Sequence, residues 1–211
     1  MVFTLSKEKF TFPDPSFADA DGLLAIGGDL QPLRLLNAYQ KGIFPWFEDD
    51  DLICWYSPHE RFVLDPNQLH LSKSMRKFIG KTKLKVTFDY AFKRVIQQCA
   101  KQFRQGQGGT WITEGMQEAY TTLHILGHAH SVEVWEDQTL VGGLYGVAVG
   151  SVFCGESMFS RQNNASKLAL YALCESKKYN LIDCQLPTEH LTSLGAKCIS
   201  RAAFQKHLHA F

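Results

Sequence analysis

The sequence predicts an α+β protein, with a mostly antiparallel sheet flanked by helices and a smaller mixed segment in front of it. Three observations predict this. "SVEVWE", "TLVGGLYGVAVG" and "SVFCGESMFS" follow one another from Ser131 with short turns between them, as an antiparallel meander does. The amphipathic stretches "YAFKRVIQQCAKQF" and "TEGMQEAYTTLHILGH" precede the meander, and "NNASKLALYALCESKKYN" comes after it. A composition of 45% hydrophobic and 20% charged residues over 211 positions suits one large domain, or two modest ones sharing a core.

Taken in order, "FPDPSFADADGLLAIGGDL" opens with turn chemistry at Pro13, Pro15, Gly22, Gly27 and Gly28. "QPLRLLNAYQKG" predicts a helix with Pro32 in its first turn, an apolar face of Leu33, Leu36 and Tyr39, and Gly42 at its end. "IFPWFEDDDLICWYSPHERFVL", broken by Pro45 and Pro58, predicts loops and short strands. A helix over "HLSKSMRKFIG", a strand over "LKVTFD" and a loop at "RQGQGG" come next. Thr113 is the expected cap of the next helix, and Gly127 lies near its end. Within the meander, Gly142, Gly143, Gly146 and Gly150 suggest bulges or close backbone approach. Asn164 is a candidate cap for a helix whose apolar face is Ala165, Leu168, Ala169, Ala172 and Leu173. "LIDCQ" predicts a short strand, "TEHLTSLG" a short helix closed by Gly195, and "AKCISR" and "AAFQKHLHAF" complete the chain. A meander, then a helix, then a strand is the layout of a GCN5-related N-acyltransferase core, an analogy of fold that leaves function open. The expected division is a small N-terminal α/β domain over 1–62, packed on an acyltransferase-like domain over 63–211.

Composition narrows the function classes. No apolar run is long enough to span a bilayer, and the amino terminus lacks the charged head and apolar stretch of a signal peptide. Cys54, Cys99, Cys154, Cys174, Cys184 and Cys198 are scattered with no CxxC pair, which reads as reduced cytosolic thiols. His124 and His128 are spaced i, i+4, but HExxH is absent and no metal site is expected. Net charge is only +1, yet Lys73, Arg76, Lys77, Lys81, Lys83 and Lys85 form a strip without an acid among them. Such a strip binds an RNA backbone or is simply a solvated face.

Three constellations carry chemistry. Asp183 and Gln185, two apart in "LIDCQ", would leave one strand face together with Leu181, while Ile182 and Cys184 face the core. An acid and an amide at a strand end suit an amine; the duller reading is a polar strand face near solvent. Glu156, between glycine and the apolar Met158 and Phe159, could converge with them across the sheet and attract a cation, or could simply end a strand in a turn. Trp46 and Trp111 lie in loops, where a ring either stacks on a base or packs into the core. Finally, "RQNNAS" stands where a coenzyme A transferase of this fold carries its pyrophosphate loop. Asn164 and Ser166 replace the small residues that allow phosphate to approach, which argues against coenzyme A.

"FPDPSFADADGLLAIGGDL", "GIFPWF", "WYSPHERFVL", "GTWITEGMQEAY", "LHILGHAHSVEVW", "LVGGLYGV", "FCGESMFSRQNNASK" and "LIDCQ…HLTSLGA" together resemble the leucyl/phenylalanyl-tRNA–protein transferase family, from about Phe12 to Gly195. The resemblance implies a cytosolic bacterial enzyme of protein turnover that needs neither coenzyme A nor metal. It implies transfer of leucine or phenylalanine, and less well methionine, from aminoacyl-tRNA to proteins beginning with Arg or Lys, which marks them for degradation. It further implies that Asp183 and Gln185 are the catalytic pair and that Glu156 binds the acceptor's amino terminus. Trp46 and Trp111 would flank the terminal adenosine, and the strip of Lys73, Arg76, Lys77, Lys81 and Lys83 would touch the acceptor stem. Met158, with Leu144, Phe153, Leu170 and Ile182, would line the hollow for the aminoacyl side chain. A monomer without a membrane partner is expected.

The chemistry is consistent with those residues. Attack of an amine on an ester that is already activated needs mainly alignment, which supplies roughly 7–11 kcal/mol at best. An α-amine with a pKa of about 7.7–8.0 is partly neutral near pH 7, whereas a lysine ε-amine at about 10.4 is not. An apolar hollow discriminates by only about 1–3 kcal/mol per methylene, so graded acceptance of Leu, Phe and Met is expected.

Overall fold

A computed structural model describes residues 2–47, 52–102 and 112–209. The first part holds β1 (Phe3–Leu5), β2 (Leu23–Gly27), α1 (Pro32–Gln40), β3 (Phe44–Pro45) and β4 (Cys54–Tyr56). These strands make a small sheet in the order β1-β2-β4-β3, with only β1 and β2 parallel. Then come β5 (Glu60–Leu64), α2 (Lys73–Ile79), β6 (Lys85–Phe88), α3 (Phe92–Ala100) and α4 (Glu114–Ile125). The rest comprises β7 (Ala129–Glu136), β8 (Thr139–Val149), β9 (Val152–Ser160), α5 (Ala165–Glu175), β10 (Leu181–Gln185), α6 (Glu189–Ser193), β11 (Lys197–Ser200) and α7 (Arg201–Leu208). Strands β5 to β11 form one sheet in the order β11-β5-β10-β9-β8-β7-β6, antiparallel throughout except where β10 lies parallel to β9. This is the expected α+β, GCN5-like layout. The meander makes one half of the sheet, and α5 then carries the chain over to a parallel neighbour.

The large sheet is covered on both faces. One apolar cluster joins α3 (Val95, Ile96, Cys99) and α4 (Met116, Tyr120, Leu123) to Leu35, Tyr39 and Trp55 of the first part. The other lies under α5 and α2 and contains Leu144, Phe153, Leu168, Leu170 and Ile182. Burying each such side chain contributes about 1.5–3 kcal/mol. The first cluster therefore welds the small sheet to the large one. The chain changes sheets between Tyr56 and Glu60, so the expected division between residues 62 and 63 falls inside β5.

Local signals account for most boundaries. Ser72 and Thr113 cap α2 and α4, each accepting from the backbone N–H three residues on. Two faces differ from expectation. On α1 the buried residues are Arg34, Leu35, Ala38 and Tyr39, while Leu33 is exposed; the helix packs on the larger body, which outweighs its own apolar pattern. On α5, Leu170 and Cys174 are also buried and Ala172 is only partly so. Asn164 precedes α5 with φ +69° and no side-chain cap bond, so it serves as a left-handed turn residue.

Candidate active site

The site is built where β9 and β10 part. They pair from Leu181 opposite Val152 to Asp183 opposite Cys154, and Glu156 and Gln185 lie two residues beyond that last pair. Both strands are irregular there. On β9, Gly155 faces Gly146 and Ser157 faces Tyr145, so Glu156 is the extra residue of a β-bulge. The bulge shifts the facing of the residues after it. Strict alternation would put Phe153 and Met158 on opposite faces, yet both belong to the cluster under α5. On β10, Asp183 faces Val63 and Gln185 faces Phe62, leaving Cys184 unmatched, and Gln185 adopts φ +62°. The Gln185 N–H donates to Asp183 Oδ1 at 2.9 Å, which holds this unusual backbone in place.

Asp183 and Gln185 therefore do not project side by side from a half-exposed strand, as simple alternation suggested. Leu181 and Asp183 are fully buried because β10 is a central strand with both faces covered. Asp183 accepts from Arg61 Nε and Nη2, both at 2.7 Å. Arg61 is itself buried, with its guanidinium 4.6 Å from the Phe44 ring centroid and 4.7 Å from that of Phe204, and Nη1 donates to the Gly42 carbonyl. Burial works against the Arg61 charge, but the Asp183 carboxylate outweighs it and raises the Arg61 pKa.

Gln185 turns its amide the other way, with Nε2 donating to Glu156 Oε1 at 2.7 Å. Glu156 Oε2 accepts from Tyr120 Oη at 3.2 Å, and Tyr120 Oη is in turn hydrogen-bonded to Tyr39 Oη. Burial pushes Glu156 up to about 7, against the lowering effect of the Tyr39 and Tyr120 phenols and the Gln185 amide, with the Asp183 charge adding to the rise. Burial, then the nearby Glu156 charge, raises both tyrosines well above their ordinary value.

These polar groups form one wall of a cavity of about 570 Å³. Leu144, Phe153, Met158, Leu170 and Ile182, the five expected pocket residues, all line it beside Glu156, Asp183 and Gln185. Alternation and glycine spacing did not point to Thr188, His190 and Leu191 at α6, which also line it, nor to Arg61, Tyr39 and Tyr120 behind the wall. An arginine opening the apolar run "RFVL" was the available signal for the ion pair.

Among the other expected residues, Trp46 is 40% exposed, with its ring 5.7 Å from that of Tyr56. Trp111 and the "RQGQGG" loop lie outside the described residues. Trp55 and Trp135 are buried. Lys73, Arg76, Lys77, Lys81, Lys83 and Lys85 are all exposed. Met75 of α2 is buried in the cluster that lines the cavity, so the basic strip and the cavity share a scaffold. His124 stacks on Phe92 at 4.4 Å, and its Nδ1 lies 2.8 Å from the Ala129 carbonyl oxygen.

The parted parallel strands, the apolar recess beside them and the carboxylate–amide pair in its wall make a candidate active site on an acyltransferase-like architecture. Family models described as leucyl/phenylalanyl-tRNA protein transferase and its N-terminal domain match residues 63–209 and 28–59. The chain belongs to the leucyl/phenylalanyl-tRNA–protein transferase family. A protein of that name from Edwardsiella ictaluri (strain 93-146) is 54% identical over 212 residues, covering 98% of this chain and 86% of the relative. One from Salmonella typhimurium is 54% identical over 211 residues, covering 98% and 89%. Among solved structures, a GCN5-related N-acetyltransferase from Kribbella flavida aligns at TM-score 0.39 and 10% identity, covering 75% of this chain and 57% of that one.

Proposed function

We propose that this protein moves leucine or phenylalanine, and less well methionine, from aminoacyl-tRNA to the α-amino group of proteins that begin with Arg or Lys, acting as a cytoplasmic monomer that creates a degradation signal. The observation that carries this reading is the shared wall of the cavity. An apolar recess fit for a leucine or phenylalanine side chain adjoins a buried carboxylate fit for a cationic peptide end. Membership of the family supports the same substrates. Among the described residues no helix is long and apolar enough to cross a membrane.

Within this reading the aminoacyl side chain enters between Leu144, Phe153, Met158, Leu170 and Ile182, with the ester carbonyl at the mouth. A carboxylate only accepts hydrogen bonds, so the Gln185 amide nitrogen faces Glu156 and its Oε1 orients the incoming amine. Asp183 acts through Gln185, as a positioning residue, since Arg61 occupies both of its oxygens. Trp46 and Trp111 stack on the terminal adenosine. Lys73, Arg76, Lys77, Lys81 and Lys83 hold the acceptor stem by its phosphates.

The test is incubation with leucyl-tRNA and an Arg-initiated peptide, read by mass spectrometry. Gain of one leucine at the terminus is expected, and none on a Glu-initiated control. An unmodified peptide, or acetyl transfer when acetyl-coenzyme A replaces the tRNA, overturns the reading.

A further inference from the structure

Granted the proposed transfer, on which this rests, we infer that Glu156 is the proton acceptor for the acceptor's α-ammonium, that Tyr39 and Tyr120 set its proton affinity, and that Arg61 keeps Asp183 out of that role. Two carboxylates, Glu156 and Asp183, line the cavity and only one of them has capacity to spare. Asp183 is wholly buried, with each oxygen 2.7 Å from an Arg61 nitrogen and Oδ1 also accepting the Gln185 N–H. Among the described residues Glu156 accepts from neutral donors, the Gln185 amide and the Tyr120 phenol, and Tyr39 backs the latter through its own hydrogen bond to Tyr120 Oη. A carboxylate has about four lone-pair sites, which leaves room beside the Gln185 amide for an N–H of the acceptor.

The bulge supplies the second ground. It leaves Glu156 out of the pairing of β9 with β8, and its side chain meets Tyr120 and Gln185 in the cavity wall. The groups facing it are Tyr39 from α1, Tyr120 from α4, Tyr145 from β8 in edge contact with Tyr120, Cys154 on its own strand, Asp183 and Gln185 from β10, and Arg61 from β5. Burial holds Glu156 near 7, close to the ordinary range of an α-amine. A base and an acid so matched exchange a proton at little cost.

Atoms and charge balance through the step. The α-ammonium gives a proton to a Glu156 oxygen and becomes a neutral amine. Its lone pair attacks the ester carbonyl, and the C–N bond forms. The C–O bond to the tRNA ribose then breaks, and the leaving oxygen takes a second proton from the same nitrogen. Glu156 returns its proton to water, so one proton is released per peptide bond.

The experiment is the pH dependence of single-turnover leucine transfer from leucyl-tRNA to saturating Arg-initiated peptide. Below pH 7 the rate should fall about tenfold per unit. Replacing either phenol (Tyr39→Phe or Tyr120→Phe) removes a bond that favours the carboxylate, so the limb should move to higher pH while transfer persists. Glu156→Gln should transfer slowly and without that limb. A limb that survives in Glu156→Gln overturns the inference. So does one that ignores both phenol variants and tracks the amine pKa when the peptide is changed. If Glu156→Gln fails to fold, the phenol shift decides alone. No transfer at any pH by the unaltered protein sinks the proposed function, and this inference with it; transfer with an indifferent limb sinks only the inference.

Discussion

Glu156 stores a conflict that stability measurements can detect. Its folded-state pKa of about 7 lies above the ordinary value of 4.5, because burial opposes ionisation. Below 4.5 the group is protonated whether the chain is folded or not. Between 4.5 and about 7 the unfolded chain releases the proton first, so stability falls as pH rises through that window, by up to about 3 kcal/mol. Glu156→Gln has no such loss. Its melting temperature relative to the unaltered protein should therefore climb from pH 4.5 to pH 7.5, and a constant difference across that range would show that Glu156 does not titrate there. Arg61 offers the complementary test. Arg61→Met strands the buried Asp183 carboxylate and should cost about 3–5 kcal/mol in urea unfolding. Arg61→Lys keeps a charge but not the two-pronged contact, and its stability should fall between those of Arg61→Met and the unaltered protein. A loss below about 1 kcal/mol for Arg61→Met would show that the pair is not needed to keep Asp183 buried.

At the scale of elements, the bulge on β9 depends on what stands opposite it. A Cβ on Gly146 would collide with the Cys154 carbonyl oxygen and the Phe153 ring. Gly146→Ala must therefore push β8 away from β9 beside Glu156, at a cost of about 1–3 kcal/mol or more. Leucine transfer at a temperature where the variant remains folded should drop further than its stability alone explains. The α2 helix makes a separate prediction. Lys77 stands on its exposed side and Lys83 just beyond it, while Met75 anchors the helix to the cavity-lining cluster. Replacing Lys77 and Lys83 by Gln should weaken binding of all aminoacyl-tRNAs alike. Each lost phosphate contact should flatten the dependence of log K on log salt by about 0.7–0.9.

For the whole molecule, the relevant fact is that one apolar cluster spans both sheets. Leu35, Tyr39 and Trp55 share it with Val95, Tyr120 and Phe159, and Arg61 links Gly42 and Phe44 to Asp183 and Phe204. The two sheets should therefore unfold together. Far-ultraviolet circular dichroism and tryptophan fluorescence, with Trp46 and Trp55 in the small sheet's segment and Trp135 in the large sheet, should give coincident urea transitions. Two separated transitions would mean that the two segments are independent domains.

The sequence by itself determined the α+β class, the meander, nearly every helix and the family, because periodicity, caps and turn glycines are local properties of the chain. It also located the acid, the amide and the five cavity residues, through the odd company Glu156 keeps in "CGESMF" and through long strings peculiar to the family. Only the tertiary structure decided how they meet. Alternation along "LIDCQ" could not foresee that Asp183 would face a buried arginine 122 positions away, or that Gln185 would turn from it toward Glu156. The wrong face chosen for α1, and the unnoticed phenols of Tyr39 and Tyr120, have the same origin. Which side of an element is buried, and which proton affinity a carboxylate acquires there, depends on what distant segments pack against it, and no period within the segment records that.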